Sequence, residues 1–142
     1  MILITILLIA LATTIYLAYY FSNTVTSPSL RPVLHQIRIS GEVAQLQLEL
    51  SNQTSSPLLT PKVGVLDKHL SVGGQQPIHL EWINPGQSAA IEIALIAETT
   101  GALASKAAMA RLLVSFTTMD GEQRYTQFNL KSGRFRETRR KP

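Results

Sequence analysis

One long apolar segment near the start of the chain constrains its fold more than any other feature. Residues 2–21 read ILITILLIALATTIYLAYYF, and the first charged side chain of the protein is Arg31. At about 1.5 Å rise per residue, twenty residues give a helix of about 30 Å, the thickness of the hydrocarbon layer of a membrane. A soluble helix of five turns normally carries a polar stripe, which this segment lacks. The sequence therefore predicts a single transmembrane helix over residues 2–21.

A cleaved secretory leader is the alternative to a retained anchor. Such a leader has a basic n-region, an apolar run of about 7 to 15 residues and a small-residue cleavage site. Here no Lys or Arg precedes the apolar run, which is also longer. Its end is rich in aromatic residues, which favour the headgroup region of a membrane. We therefore predict a retained anchor with these membrane-interface residues: Tyr16, Tyr19, Tyr20 and Phe21.

The flanks of the segment leave open which side of the membrane the rest of the chain occupies. The positive-inside rule counts Lys and Arg within about 15 to 20 residues of each membrane end. It finds Arg31 and Arg38 on the C-terminal side, which favours a cytoplasmic body. Small β-domains on a single N-terminal anchor often face the periplasm or the exterior instead, so both orientations remain open.

Residues 33–130 have the pattern of antiparallel β-structure. Apolar and polar residues alternate most clearly in VAQLQLEL at 43–50, and Pro85-Gly86 is typical of a type II turn. About seven such strands in roughly 100 residues, separated by turn signals, favour a small immunoglobulin-like β-sandwich. The predicted strands lie near residues 33–40, 43–50, 62–67, 77–82, 89–96, 111–118 and 124–130.

Two polar segments flank this predicted sandwich. Residues 22–32, SNTVTSPSLRP, predict a short stalk, because they hold two prolines and several turn-forming residues. Residues 131–142, KSGRFRETRRKP, hold six Lys or Arg against one Glu, so we expect a basic and flexible tail. Bases near a membrane attract anionic lipid. The candidates for contact with such a lipid or with a partner protein are Lys131, Arg134, Arg136, Arg139, Arg140 and Lys141.

The chain offers few residues for catalysis. It contains no Cys, which excludes a disulfide, a thiolate metal site and a cysteine nucleophile. His35, His69 and His79 lack the paired spacing of metal ligands, and neither a nucleophile elbow nor a P-loop is present. Glu81 and Glu92 lie on predicted outward faces and are the best candidates for a carboxylate pair, but we interpret them as part of a solvated sheet surface. We therefore predict no enzymatic activity, no cofactor and no metal.

Two functions from different classes fit these features. The first is a structural or accessory subunit, in which the anchor holds the sandwich close to the lipid bilayer and to other membrane-protein subunits. The second is a membrane-tethered module that binds a small ligand or a polymer near Trp82, on loops at 67–76 and 84–88. Nucleic acid is not an expected partner, because the predicted body has no basic face and Phe135 is the only aromatic residue of the tail.

Overall fold

The computed structural model describes residues 1–23, 25, 27–41, 43–76, 81–97, 107 and 109–142. These residues form one helix and nine strands, and all strand pairs are antiparallel. Their bounds are α1 Ile2–Asn23, β1 Leu30–Ser40, β2 Val43–Asn52, β3 Leu58–Val65, β4 Leu70–Gln76, β5 Trp82–Ile83, β6 Ser88–Ala97, β7 Arg111–Thr117, β8 Gln123–Asn129 and β9 Phe135–Thr138.

The helix α1 covers the whole predicted membrane segment and ends two residues beyond it. Its three threonines, Thr5, Thr13 and Thr14, donate their hydroxyls to carbonyls four residues earlier, at 2.8 to 3.1 Å. These bonds satisfy the hydroxyl groups without a partner outside the helix. The apolar side chains of α1 are exposed along its whole length. The helix is therefore long and apolar enough to span a membrane.

The strands form two facing antiparallel sheets. One sheet has the order β1-β2-β6-β4 and the other the order β5-β3-β7-β8-β9. Without β5 and β9, the strands follow the arrangement of a constant-type immunoglobulin domain, in which A, B, E and D form one sheet and C, F and G the other. The prediction of a mainly β chain with an immunoglobulin-like sandwich is confirmed, with nine strands instead of about seven.

Apolar residues from the inner faces of both sheets form one core. Leu46, Leu48 and Leu50 of β2 are buried, as the alternation in the sequence predicts. Val114 and Phe116 of β7 contribute from the other sheet. Burial of a side chain of this size stabilises the fold by about 1.5 to 3 kcal/mol. The two inner faces therefore hold the sheets together.

The inner face of β8 also carries a polar group that can be tested. Thr126 is fully buried between Val114 and Glu137, and its Oγ1 has no hydrogen-bond partner in the described part of the chain. An unpaired buried hydroxyl costs about 1 to 3 kcal/mol. We therefore expect Thr126→Val to raise the free energy of unfolding by about 1 kcal/mol. Urea unfolding of the full-length protein in detergent, followed by the fluorescence of Trp82, measures this change.

Thr138 provides the matched control for that substitution. It is equally buried, but its hydroxyl donates to a backbone carbonyl at 2.9 Å. Thr138→Val should therefore lower the free energy of unfolding, by about 1 kcal/mol. The interpretation of Thr126 is wrong if both substitutions shift stability in the same direction.

The segment predicted as a stalk, residues 22–32, is largely part of the folded domain. α1 continues to Asn23 and β1 begins at Leu30. Ser29, Leu30 and Pro32 are buried, and Leu30 belongs to the core. Pro32 is accommodated because β1 is an edge strand, where a missing backbone N–H does not interrupt the sheet.

The segment predicted as a flexible tail, residues 131–142, contains a strand. β9 pairs with β8 over four residues, Phe135 packs against the core, and Glu137 and Thr138 are buried. The alternation of inward and outward residues is present in this segment. Phe135 is one inward residue, but the next one is the carboxylate of Glu137 instead of an apolar group, so the hydrophobic pattern of the strand is incomplete.

A glycine pair predicted as a loop lies within β4. Gly73 is opposite Ala94 of β6, and the side chain of Ile96 lies over it. A Cβ at Gly73 would approach Cδ1 of Ile96 to 2.7 Å, which is closer than two carbon atoms pack. The glycine therefore permits close packing here. Of the predicted strand at 77–82, residues 77–80 lie outside the described residues.

Candidate interaction site at the helix exit

Backbone hydrogen bonds join the C-terminal end of α1 to β9. The N–H of Arg139 donates to the carbonyl of Asn23, and the N–H of Val25 donates to the carbonyl of Glu137, both at 3.0 Å. This antiparallel pairing places Asn23 and Val25 along the outer edge of β9. An open edge strand would offer unpaired backbone groups to other chains. The polypeptide that leaves the helix therefore covers the edge of the five-stranded sheet.

Groups from the C-terminal segment also cap the end of the helix. The last carbonyls of a helix lack partners within it and carry partial negative charge. The guanidinium of Arg139 donates to the carbonyl of Ser22 at 3.2 Å, and the N–H of Arg140 donates to Oδ1 of Asn23 at 3.0 Å. The last turn of α1, which is fully described, has no basic residue of its own. Residues 117 positions away in the sequence supply the positive charge.

Two arginines lie over two tyrosines of the last turns of α1. Cζ of Arg136 is 5.7 Å from the ring centroid of Tyr20, and Cζ of Arg140 is 5.1 Å from that of Tyr19. Both distances are within the range of a cation–π interaction, about 6 Å. We call Tyr19, Tyr20, Arg136, Arg139 and Arg140 the exit cluster. It brings predicted interface aromatics and predicted basic contact residues into one place.

A buried carboxylate holds this end of β9 to the sandwich. Glu137 is 1% exposed and accepts hydrogen bonds from the N–H of Ser29 at 2.5 Å and its hydroxyl at 3.1 Å. Nη1 of Arg124 donates to the same carboxylate at 3.1 Å, while Nη2 donates to Glu122 at 2.8 Å. The charge on Glu137 is therefore paired, and the start of β1 is fastened to β9.

The charge on Arg124 is stabilised by these two carboxylates. Burial alone would lower the pKa of Arg124, but the hydrogen bonds and charges of Glu122 and Glu137 outweigh burial and raise it. In return, the hydrogen bond from Arg124 lowers the pKa of Glu122. Arg139 also approaches Glu122, with Nε 3.7 Å from Oε1. Arg139 is thus partly neutralised, whereas Arg136 and Arg140 face aromatic rings.

Five of the ten predicted contact residues form the exit cluster, and the other five do not join it. The sequence gives no signal for this convergence, because Tyr20 and Arg136, the nearest aromatic and basic members of the cluster, lie 116 positions apart. The remaining five residues are exposed. Tyr16 and Phe21 lie on α1, Lys131 and Arg134 lie between β8 and β9, and Lys141 lies beyond β9.

One end of the loop predicted at 67–76 lies far from Trp82. Trp82 of β5 is 53% exposed, and the turn at 84–87 follows it directly. Most of the other predicted loop is β4, which lies at the edge of the opposite sheet. The turn that precedes β4 lies beyond Val65, whereas β5 pairs at Leu58. Seven residues of strand separate these two ends of β3 by about 23 Å.

The other residues considered for chemistry are also dispersed. Glu81 lies beside β3, where its carbonyl accepts the N–H of Thr60 at 2.7 Å. Glu92 lies in the other sheet and accepts a hydrogen bond from Gln47 at 3.3 Å, so the two carboxylates form no pair. His69 is exposed, and His79 lies outside the described residues. Within the described residues, no group of three or more His, Asp or Glu side chains is arranged to hold a metal ion.

His35 contacts a carboxylate on the neighbouring strand. Its Nε2 is 2.6 Å from Oε2 of Glu49, and this hydrogen bond, with a second one from Ser88, lowers the pKa of Glu49. The stabilisation that this pair provides is present above the pKa of an unfolded glutamate and is lost as the pH falls through the lower folded pKa. We expect His35→Ala to raise the pKa of Glu49, measured by carboxyl-carbon NMR of the full-length protein. Gln36→Ala is the control, and an equal shift in both variants would contradict the assignment.

Comparison of the chain with protein-family models gives no match, and comparison with curated proteins gives none either. The arrangement of its own residues therefore carries the functional inference.

Proposed function

We propose that this chain is a non-catalytic, single-pass membrane protein that serves as an accessory or structural subunit of a larger membrane assembly. In this proposal α1 stays in the membrane as a retained anchor, and the sandwich presents its surface to partner subunits at a fixed height above the bilayer. The observation that carries the proposal is the attachment of the helix end to β9. A domain on a flexible stalk would sample many orientations, whereas these hydrogen bonds favour one orientation of the sandwich relative to the helix.

The surface of α1 supports a role in assembly. Its apolar side chains are exposed along the whole helix, and the sandwich buries none of them. In a membrane, lipid chains or another helix cover this apolar surface. Small residues let helix backbones approach closely in a membrane. Ala10, Ala12 and Ala18 therefore offer positions at which a partner helix can pack.

Extraction of membranes with alkaline carbonate tests the anchor. A retained transmembrane helix keeps the full-length chain in the membrane pellet, and the mass of the isolated protein includes residues 1–23. A chain that is released into the supernatant, or that has lost its N-terminal segment, would contradict the proposal.

The absence of cysteine makes a clean test of orientation possible. Lys68→Cys places a single thiol on an exposed turn of the sandwich, and Leu8→Cys places one in the middle of α1. A membrane-impermeant maleimide added to intact cells labels Lys68→Cys only if the sandwich faces outward. It should not label Leu8→Cys until the membrane is dissolved by detergent. Labelling of Leu8→Cys in intact membranes would show that the helix is not embedded.

Photo-crosslinking in intact membranes tests the subunit role. A photoreactive amino acid at Ala12 should give one defined adduct with another membrane protein. The same group at Gln53, an exposed loop residue, shows whether the sandwich contacts that partner as well. If neither position gives a defined adduct and the purified full-length chain runs as a monomer, the subunit role is wrong.

One observation favours the ligand-binding alternative. Trp82 is half exposed beside a tight turn, where Gly86 adopts a φ of 69°. An exposed indole suits contact with a sugar ring or another planar ligand. We expect Trp82→Ala to abolish binding if this alternative holds, and to leave the fold intact because β5 is an edge strand. Screening the full-length protein for a glycan or small molecule that shifts Trp82 fluorescence tests it, and the absence of any shift would remove its support.

A further inference from the structure

We infer that the outer face of the five-stranded sheet next to the exit cluster binds the phosphate of an anionic phospholipid headgroup. The site is a groove of about 330 Å³ across β7, β8 and β9. It rests on the proposed function, since it requires that α1 spans the membrane. We call it the outer groove, and its lining residues are Arg111, Gln127, Phe128, Asn129, Arg134, Phe135 and Arg136.

The register of the sheet explains why these side chains meet. Arg111 of β7 lies opposite Asn129 of β8, and Gln127 of β8 lies opposite Arg136 of β9. Residues two apart on a strand point to the same face, so Gln127 and Asn129 line the floor between two basic walls. Two strand spacings separate the walls by about 10 Å. This width is sufficient for a phosphodiester and its glycerol.

The charges and donors of the groove suit a phosphate. Three guanidinium groups, those of Arg111, Arg134 and Arg136, border it, and among its described lining residues there is no Asp or Glu. Guanidinium groups bind phosphate oxygens with two hydrogen bonds at once, and the amides of Gln127 and Asn129 supply further donors. The arginines are exposed, so their donors are accessible to a ligand.

The position of the groove identifies a lipid as the occupant. Arg136 belongs both to the groove and to the exit cluster, where it lies over the ring of Tyr20. Tyrosines near the end of a membrane helix lie at the level of the headgroups. Arg136 is therefore at the depth of the lipid phosphates, and the groove extends from it along the sheet to Arg134 and Arg111. The anchor holds this arginine among lipid phosphates, whereas a free phosphate reaches it only from the bulk solution.

Native mass spectrometry of the full-length protein in a non-ionic detergent tests the inference. The probes are phosphatidylglycerol, phosphatidylcholine and inorganic phosphate. The protein should retain one phosphatidylglycerol in preference to phosphatidylcholine. Arg134→Gln/Arg136→Gln should weaken this binding by about 30-fold, on the basis of the usual contribution of a surface base.

The matched control removes the same charge elsewhere. Arg38→Gln/Lys68→Gln changes two exposed bases on other parts of the sandwich and should leave phosphatidylglycerol binding unchanged. Equal binding by both double variants, or equal retention of the two lipids by the native protein, overturns the inference. Displacement of the lipid by inorganic phosphate at equal concentration also overturns it, since the site would then recognise a free anion. Carbonate extraction separates the two proposals: a chain that stays in the membrane but does not select phosphatidylglycerol retains its proposed function and loses only this site.

Discussion

Deletion of residues 131–142 is expected to lower the free energy of unfolding by more than about 4 kcal/mol. The deletion removes β9, uncovers the edge of β8 and leaves Arg124 without Glu137. It also releases the chain that follows α1 from its hydrogen bonds to the sheet. A change of this size is a large part of the total stability of a small domain, about 5 to 15 kcal/mol. Urea unfolding of the full-length and shortened proteins in detergent, followed by Trp82 fluorescence, gives the difference.

Removal of Lys141 and Pro142 alone is the control for this deletion. Both residues are exposed beyond the end of β9, so the free energy of unfolding should change by less than about 0.5 kcal/mol. A flexible basic tail, as the composition of the segment predicts, would make both deletions equally harmless. A loss below about 1 kcal/mol for the long deletion would therefore contradict the role of β9.

Glu137→Ala is expected to cost about 3 kcal/mol of unfolding free energy. Removal of one partner from a buried ion pair leaves the other charge without compensation, which typically costs about 3 to 5 kcal/mol. We expect a loss at the lower end of this range, because the side chain of Arg124 is 14% exposed and still pairs with Glu122. The N–H of Ser29 also loses its acceptor. Urea unfolding in detergent measures this loss. Glu137→Gln keeps an acceptor oxygen and should lower the free energy of unfolding by less than Glu137→Ala does.

Glu122→Ala provides the matched control. Glu122 pairs with the same arginine, but its side chain is 44% exposed. Exposed ion pairs contribute at most about 1 kcal/mol. If both variants lowered the free energy of unfolding equally, burial of the carboxylate would have no special effect. Glu137 would then not be the residue that holds β1 to β9.

The sequence predicts strands well where an apolar face alternates with a polar one. The leucines of β2 and the apolar residues of β7 carry that pattern, and both strands lie close to their predicted bounds. Prediction fails where another interaction replaces apolar burial. In β9 one inward residue is a carboxylate paired with Arg124, and in β4 a glycine lies under the side chain of Ile96, where the sequence pattern indicates a loop.

The candidate site was predictable only as separate parts. Aromatic residues at the end of a long apolar segment predict a membrane interface, and a cluster of bases predicts an anionic contact. Their meeting depends on the hydrogen bonds of Asn23 and Val25 to the segment 137–139, for which a single sequence holds no local signal. Arg111 was missed for the same reason, because only the register of β7 with β8 places it beside the bases of the C-terminal segment.

The bond between Ser29 and Glu137, residues 108 positions apart, has a consequence for biosynthesis. A ribosome makes α1 first and β9 after every other described strand. In the proposed single-pass arrangement, the anchor would therefore enter the membrane while the sandwich still lacks β9, and the edge of β8 would stay open until β9 has been made and has left the ribosome. A ribosome that stalls before that point would leave an inserted but incomplete protein, whose exposed strand edge would be a target for chaperones and membrane proteases.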